Sequence, residues 1–138
     1  MGRPENVGDF LKVLFSGRFD EPHWGHWATI LKLLKLFDRV QVVILEYPDR
    51  VHPAKYIQRV FETMQILSDI PTDSLGISVN KTHFDKIDQT EWGAFGCDVY
   101  AGGNQDVNDH ITAMGIRVYD AERSFEFSAR NYKQEAKS

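Results

Sequence analysis

The feature that most constrains the fold is a regular alternation of short apolar runs with amphipathic segments. Runs rich in apolar and β-branched residues predict five strands, at 10–15, 40–45, 75–79, 98–101 and 116–119. Apolar residues recurring every three or four positions predict helices between them, at 24–37, 53–67 and 104–114, with a last short helix from 128. Runs that are apolar on both faces suit the interior strands of a parallel sheet. The pattern therefore predicts an α/β domain with a parallel sheet.

The size and charge of the chain narrow the choice further. It has 138 residues, of which 42% are hydrophobic, so we expect a single domain over 1–138 with a core at roughly 10–133. The formal net charge of −4 argues against a dedicated nucleic-acid binder, because a phosphate backbone needs a clustered basic face. It leaves open an enzyme acting on nucleotides, which needs only a few local cations.

Cysteine and apolar content bear on the compartment. A single cysteine, Cys97, excludes an internal disulfide and a cysteine-based zinc site. His52, His83 and His110 are scattered, so no histidine metal site is predicted. No apolar stretch approaches the roughly 20 residues that span a bilayer, and the first residues lack an apolar signal region. We expect a soluble cytoplasmic protein without membrane association.

The loops after the predicted strands are where a ligand is expected, since parallel sheets bind ligands at the carboxyl ends of their strands. In the first of these loops, His23 and His26 lie three residues apart at a helix start, which places both rings on one side. Gly25 lets a ligand approach the backbone, and a helix N-terminus favours anions. The arrangement indicates a phosphate site, against the alternative that both histidines are ordinary surface or capping residues.

The run from Gly17 to His26, G-x-F-D-x-x-H-x-G-H, resembles the HxGH motif of the nucleotidyltransferase superfamily. The resemblance implies a Rossmann-like three-layer α/β/α fold with a five-stranded parallel sheet. It also implies transfer of a nucleoside monophosphate from CTP or ATP to a small phosphorylated acceptor, with release of pyrophosphate. No GxxxxGK[ST] or GxGxxG sequence occurs, which argues against P-loop and dinucleotide-binding proteins.

A second motif of the superfamily, I-S-x-T-x-I-R/K, is matched in part near the end of the chain. Ser128 and Lys133 fit its pattern, whereas Arg130 stands where the superfamily has threonine. A charged contact from Arg130 to the triphosphate is one interpretation of this departure, and partial degeneration of the motif is another. Ser128 also suits a helix N-cap.

The resemblance assigns a wider set of positions to the nucleotide. Gly102-Gly103-Asn104 resembles the superfamily's turn after the fourth strand, although such a sequence makes a tight turn in any protein. Arg59 occupies a place where relatives often carry an arginine near the phosphates, or else lies on a solvated helix face. The nucleotide-binding positions so implied are Gly17, Arg18, Phe19, Asp20, Gly25, Arg59, Gly102, Gly103, Asn104, Ser128, Ala129 and Arg130.

The catalytic positions implied by the resemblance are His23, His26 and Lys133. His26 is expected to donate to the α-phosphate region and His23 to the β/γ side, neither forming a covalent intermediate. Lys133 and Arg130 are expected beside the leaving group, and Asp20 to orient the loop. Mg²⁺ is expected to be held mainly by the triphosphate, with no protein metal site.

The acceptor and the base are less constrained by the motifs. The FD and HWGH features resemble glycerol-3-phosphate cytidylyltransferases and give that reaction a slight preference. The G-R-F sequence resembles nicotinamide mononucleotide adenylyltransferases, so adenylyl transfer to nicotinamide mononucleotide or pantetheine phosphate is the alternative. A non-catalytic nucleotide-binding protein is the rival from another class. A homodimer is compatible with the resemblance.

Overall fold

All five predicted strands form one parallel sheet in the computed structural model, which describes residues 11–20 and 24–120. The elements in chain order are β1 Lys12–Gly17, α1 Trp24–Leu36, β2 Arg39–Leu45, α2 Ala54–Leu67, β3 Leu75–Asn80, α3 Gln89–Phe95, β4 Val99–Gly102, α4 Gln105–Ala113 and β5 Arg117–Asp120. The strand order is β3-β2-β1-β4-β5, and every pairing is parallel. The predicted α/β class, with its three layers, is confirmed.

The two faces of the sheet are covered by different helices. Alternate residues of β1 point to opposite faces, so Val13 and Phe15 pack beneath α1 and α2 while Leu14 packs on the other side. That other side is covered by the 84–87 turn, α3 and α4. Central strands buried on both faces explain why the 40–45 run carries apolar residues without alternation.

The strand order reverses its direction at the middle of the sheet. From β1 the chain runs outward through β2 to β3, then crosses back so that β4 pairs with the other edge of β1. The ends of β1 and β4 therefore face each other across a topological switch point. In open parallel sheets, ligands bind in the crevice at this point.

Some predicted boundaries were wrong. The first strand extends past Phe15 through Ser16 and Gly17, which the sequence analysis places in the following loop. The helices predicted to begin at Pro53 and Asn104 begin one residue later, because both residues serve as N-caps. Asn104 does so through its side-chain oxygen, which accepts from the backbone N–H of Val107 at 3.1 Å.

One helix was not predicted. α3 has seven residues, which is too short to display a helical apolar period. Its signal is a capping box, in which the Asp88 carboxylate accepts from the Glu91 N–H at 2.8 Å and the Glu91 carboxylate accepts from the Asp88 N–H at 3.2 Å. The helix buries Trp92 against Tyr100 of β4, so this tryptophan packs in the core.

None of the four helices within 24–120 combines the length and apolarity needed to cross a membrane. The predicted start of the first strand at Phe10 lies outside the described residues, as does the predicted helix from Ser128.

Candidate active site

A cavity of about 430 Å³ opens at the carboxyl ends of the central strands. Its walls come from the ends of β1, β2 and β4, from the loop after β3, and from the first turn of α4. The lining residues are Ser16, Gly17, Arg18, Leu45, Tyr47, His83, Phe84, Asp85, Tyr100, Gly103, Asn104, Asp106 and Val107. The cavity thus occupies the switch point, where the topology predicts a ligand.

The turn after β1 is fixed by the side chain of Phe19. This residue is 5% exposed, and its ring packs edge-on against Phe15, Phe61 and His26, with the His26 centroid 4.9 Å away. Its backbone has a positive φ of 48°, an uncommon conformation for a residue with a side chain. A Cβ at Gly17 would lie 3.0 Å from the Phe19 ring, so glycine lets the ring fold back beneath the turn. Only the backbone of Phe19 is left to face a ligand.

Arg18 is a positively charged residue on the cavity wall. Its guanidinium contacts Asp20 at 3.1 Å and Asp49 at 3.3 Å, and lies 4.6 Å from the centre of the Tyr47 ring. These contacts orient the side chain along the cavity wall. Its Nε is buried and has no hydrogen-bond partner in the described part of the chain. A buried N–H without a protein acceptor, on a residue that lines the cavity, is suited to a ligand oxygen.

Arg50, in the loop after β2, ties that loop to the turn after β1. Its side chain is 3% exposed. The guanidinium donates to the carbonyls of Arg18 at 2.5 Å, Leu45 at 2.7 Å, His52 at 2.8 Å and Phe19 at 3.3 Å. Carboxylate oxygens of Asp20 and Glu46 lie 3.6 and 3.9 Å away. A planar, multidentate donor is required to bridge carbonyls in this way, which lysine cannot do.

The turn after β4 provides the opposite wall. A Cβ at Gly102 would lie 2.7 Å from the Tyr100 ring, so glycine allows this ring to lie close along the backbone. The Gly102 carbonyl accepts from the buried Asn108 amide at 3.2 Å, which ties β4 to α4. Gly103 and Asn104 then line the cavity.

Two buried hydroxyls join the walls at the switch point. Ser16 of β1 and Tyr100 of β4 form a hydrogen bond of 2.6 Å, and they are 8% and 3% exposed. Burial raises the pKa of Tyr100 to about 12, although the hydrogen bond to Ser16 opposes this shift. The phenol therefore keeps its proton throughout the physiological range.

This shift predicts a late-ionising tyrosine. Because the folded-state pKa of Tyr100 lies above the unfolded value of about 10, the unfolded chain loses its proton first as the pH rises. Folding stability is unaffected below pH 10 and falls by about 2 kcal/mol between pH 10 and 12. Absorbance at 295 nm should show one tyrosine ionising near pH 12, and Tyr100→Phe should remove it. Tyr56→Phe, at an exposed position, should retain it; a late step that survives Tyr100→Phe contradicts the assignment.

The structure brings only part of the predicted site together. Gly17, Arg18, Gly103 and Asn104 line the cavity, and Asp20 pairs with Arg18 and Arg50, which agrees with a loop-orienting role. The remaining predicted positions fall elsewhere: Gly25 is exposed on α1, His26 packs on Phe19 without lining the cavity, Gly102 is buried and Arg59 is exposed on α2. His23, Ser128, Ala129, Arg130 and Lys133 lie outside the described residues.

Most residues that line the cavity were not predicted from the sequence, and three unpredicted residues make hydrogen bonds that join its walls: Arg50, Ser16 and Tyr100. Arg50 sits in a polar loop and carries no signal that separates it from a surface arginine. Ser16 was assigned to a loop, and Tyr100 to an ordinary strand. A pointer to the last two was available, because residues at the ends of β1 and β4 face one another once the strand order is known.

Cys97 does not line the cavity. Burial raises the pKa of the Cys97 thiol to about 11, with Asp98 adding to the shift, so this cysteine stays protonated, as an inert thiol would. Within 11–20 and 24–120, no three His, Cys, Asp or Glu side chains come together as a metal site.

The fold is a parallel α/β domain with a cavity at the central switch point, which is where sheets of this kind bind ligands. Residues 14–130 match the cytidylyltransferase-like family, and the chain belongs to that family. The predicted membership of the nucleotidyltransferase superfamily is thereby confirmed.

Two curated proteins that are similar to part of this chain are both phosphopantetheine adenylyltransferases. The chain is 32% identical over 60 residues to a phosphopantetheine adenylyltransferase of Kocuria rhizophila, an alignment that covers 44% of this chain and 38% of that enzyme. It is also 32% identical over 62 residues to the phosphopantetheine adenylyltransferase of Aquifex aeolicus, over 44% of this chain and 37% of that enzyme. The alignments thus span less than two fifths of the relatives' own length.

Proposed function

We propose that the protein transfers an adenylyl group from ATP to a small phosphorylated acceptor of the pantetheine phosphate type, releasing pyrophosphate. The observation that carries this proposal is the similarity to two phosphopantetheine adenylyltransferases within the cytidylyltransferase-like family. It reverses the slight preference of the motifs for cytidylyl transfer to glycerol 3-phosphate and favours the alternative.

The chemistry asks the protein mainly for positioning. An oxygen of the acceptor phosphate attacks the α-phosphorus in line, and the bond from that phosphorus to the bridging oxygen of the β-phosphate breaks. Charge builds on the oxygens around the α-phosphorus, so donors fixed in advance lower the barrier. We assign this role to His26 near the start of α1, together with the dipole of that helix.

The remaining roles follow from the motifs at both ends of the chain. His23 is proposed to donate to the β/γ side, and Arg130 and Lys133 to neutralise the departing pyrophosphate. The triphosphate enters as its Mg²⁺ complex, so the metal is part of the substrate. Asp20 forms ion pairs with Arg18 and Arg50, and these pairs keep the turn after β1 in place.

The experiment measures pyrophosphate release for each combination of two nucleoside triphosphates and three acceptors. ATP and CTP are each offered with phosphopantetheine, glycerol 3-phosphate and nicotinamide mononucleotide, with Mg²⁺ present. We expect ATP with phosphopantetheine to give the highest kcat/KM. Release with CTP and glycerol 3-phosphate alone would restore the cytidylyltransferase hypothesis.

A non-catalytic nucleotide-binding protein is the second candidate, because Arg130 replaces the threonine of the superfamily's second motif. Calorimetry with ATP and CTP separates the two. Binding of a nucleotide without turnover of any of the three acceptors favours the second candidate, and turnover excludes it.

A further inference from the structure

The hydroxyls of Ser16 and Tyr100 carry one hydrogen more than the described residues accept. Each hydroxyl brings one hydrogen, and the 2.6 Å bond between them uses one of the two, whichever group donates. Neither hydroxyl has a further hydrogen-bond partner in 11–20 or 24–120. Both residues are more than nine-tenths buried and both line the cavity at the switch point. A buried hydroxyl hydrogen without an acceptor is costly, so its presence calls for a ligand oxygen.

A second donor lies on the same cavity wall. The Nε of Arg18 is buried, has no hydrogen-bond partner in the described chain, and belongs to a residue that lines the cavity. Two donors with unused hydrogens, one of them on a cation, suit an oxyanion better than a neutral group. A phosphate ester offers several oxygens at the required spacing.

The position of the pair favours the acceptor over the nucleotide. Along β1, Ser16 points to the same face as Leu14, which is the side covered by the 84–87 turn, α3 and α4. His26 and the Phe19 ring lie with α1 on the opposite side. The triphosphate is proposed at the α1 end, which leaves the cavity on the other side for the second reactant. This assignment places Arg18, Gly103 and Asn104 beside the acceptor, whereas the motifs predict them beside the nucleotide.

We infer that the Ser16–Tyr100 hydroxyl pair, with Arg18 Nε, binds a phosphate oxygen of the acceptor substrate. This inference rests on the proposed function. It makes the two hydroxyls binding residues of the acceptor, beyond their part in joining β1 to β4. Because the ring of Tyr100 packs in the core while its hydroxyl reaches the cavity, removal of the hydroxyl alone separates the two roles.

The test is a double-mutant cycle with Ser16→Ala, Tyr100→Phe and the combined variant. Each single variant keeps one hydroxyl whose hydrogen is released from the pair and can still reach the ligand. We therefore expect the KM for the acceptor to rise only about threefold in each single variant and about 30- to 100-fold in the double variant, more than the roughly ninefold product of the single effects. The KM for ATP should stay within about twofold of the wild type. Tyr56→Phe, which removes an exposed hydroxyl from α2, is the matched control.

A more-than-multiplicative loss confined to the acceptor supports the inference. An acceptor KM within twofold of the wild type in the double variant overturns it, and so does an equal rise in the KM for ATP. Calorimetry with phosphopantetheine and with inorganic phosphate reads the same cycle without turnover, and thermal melting confirms that each variant is folded. If the double variant does not fold, Tyr100→Phe decides: an unchanged acceptor affinity overturns the inference. If the wild-type protein binds neither phosphopantetheine nor inorganic phosphate, the inference is overturned. If the protein turns over the acceptor but the variants do not change the acceptor KM, the inference is overturned and the proposed function stands.

Discussion

Replacing His26 with alanine is expected to lower kcat for nucleotidyl transfer by about 100- to 1,000-fold, the range seen when one preorganised oxyanion donor is removed. His26 lies near the start of α1, where a ring N–H adds to the helix dipole at the proposed α-phosphate position. The loss should appear in kcat and kcat/KM alike, since the contact strengthens as charge develops. Steady-state assays with the best ATP and acceptor pair measure it.

The packing of His26 on Phe19 must be separated from its chemistry. His26→Phe keeps an aromatic ring against Phe19 but removes the donor, so it should lose as much activity as His26→Ala while melting close to the wild type. His110→Gln, which retains a donor to the Ile87 carbonyl, is the histidine control and should keep wild-type kcat. Full activity in His26→Phe would refute the assigned role.

The strands could be predicted because a strand that is buried on both faces carries a continuous run of apolar residues. The run at 40–45 has few polar residues because β2 lies between two neighbours and beneath two helical layers. The order of the strands is not encoded in any single run, since it depends on which edge of β1 receives β4. α3 was not predicted because seven residues are too few to show the apolar period of a helix. The capping box at its start is the local sequence signal for this helix.

The site divides in the same way. The predicted residues that do line the cavity include Gly17, at the end of β1, and Gly103 and Asn104, directly after β4. Glycine and asparagine are typical turn residues, so a turn at the end of each strand could be predicted from the sequence. Phe19 was expected among the nucleotide contacts, but its ring packs in the core, because Gly17, two residues earlier, has no Cβ in the way of the ring. The role of Arg50 could not be predicted, because two of the four carbonyls that it binds belong to Arg18 and Phe19, which lie 32 and 31 positions away in the sequence.

Arg50→Ala is expected to destabilise the fold by about 3 kcal/mol and to abolish most activity. Removal of the guanidinium leaves four carbonyls without this donor and takes a cation away from the Glu46 and Asp20 carboxylates, although Asp20 keeps its contact with Arg18. Typical stabilities are about 5–15 kcal/mol, so the protein should remain folded at 25 °C. Urea denaturation gives the loss of stability, and kcat/KM at the same temperature gives the loss of function.

The comparison with Arg50→Lys decides whether the residue positions the turn or only stabilises it. Lysine keeps the charge but donates from one point, so it cannot hold the carbonyls of Arg18, Leu45 and His52 at once. If Arg50 positions the turn, Arg50→Lys recovers part of the stability while kcat stays low, because Arg18 is no longer held at the cavity wall. Arg117→Ala, at an exposed position on β5, should change neither quantity. If Arg50→Lys recovers activity in proportion to stability, the hydrogen bonds of Arg50 only stabilise the fold. The geometry of the turn after β1 would then be set by Phe19.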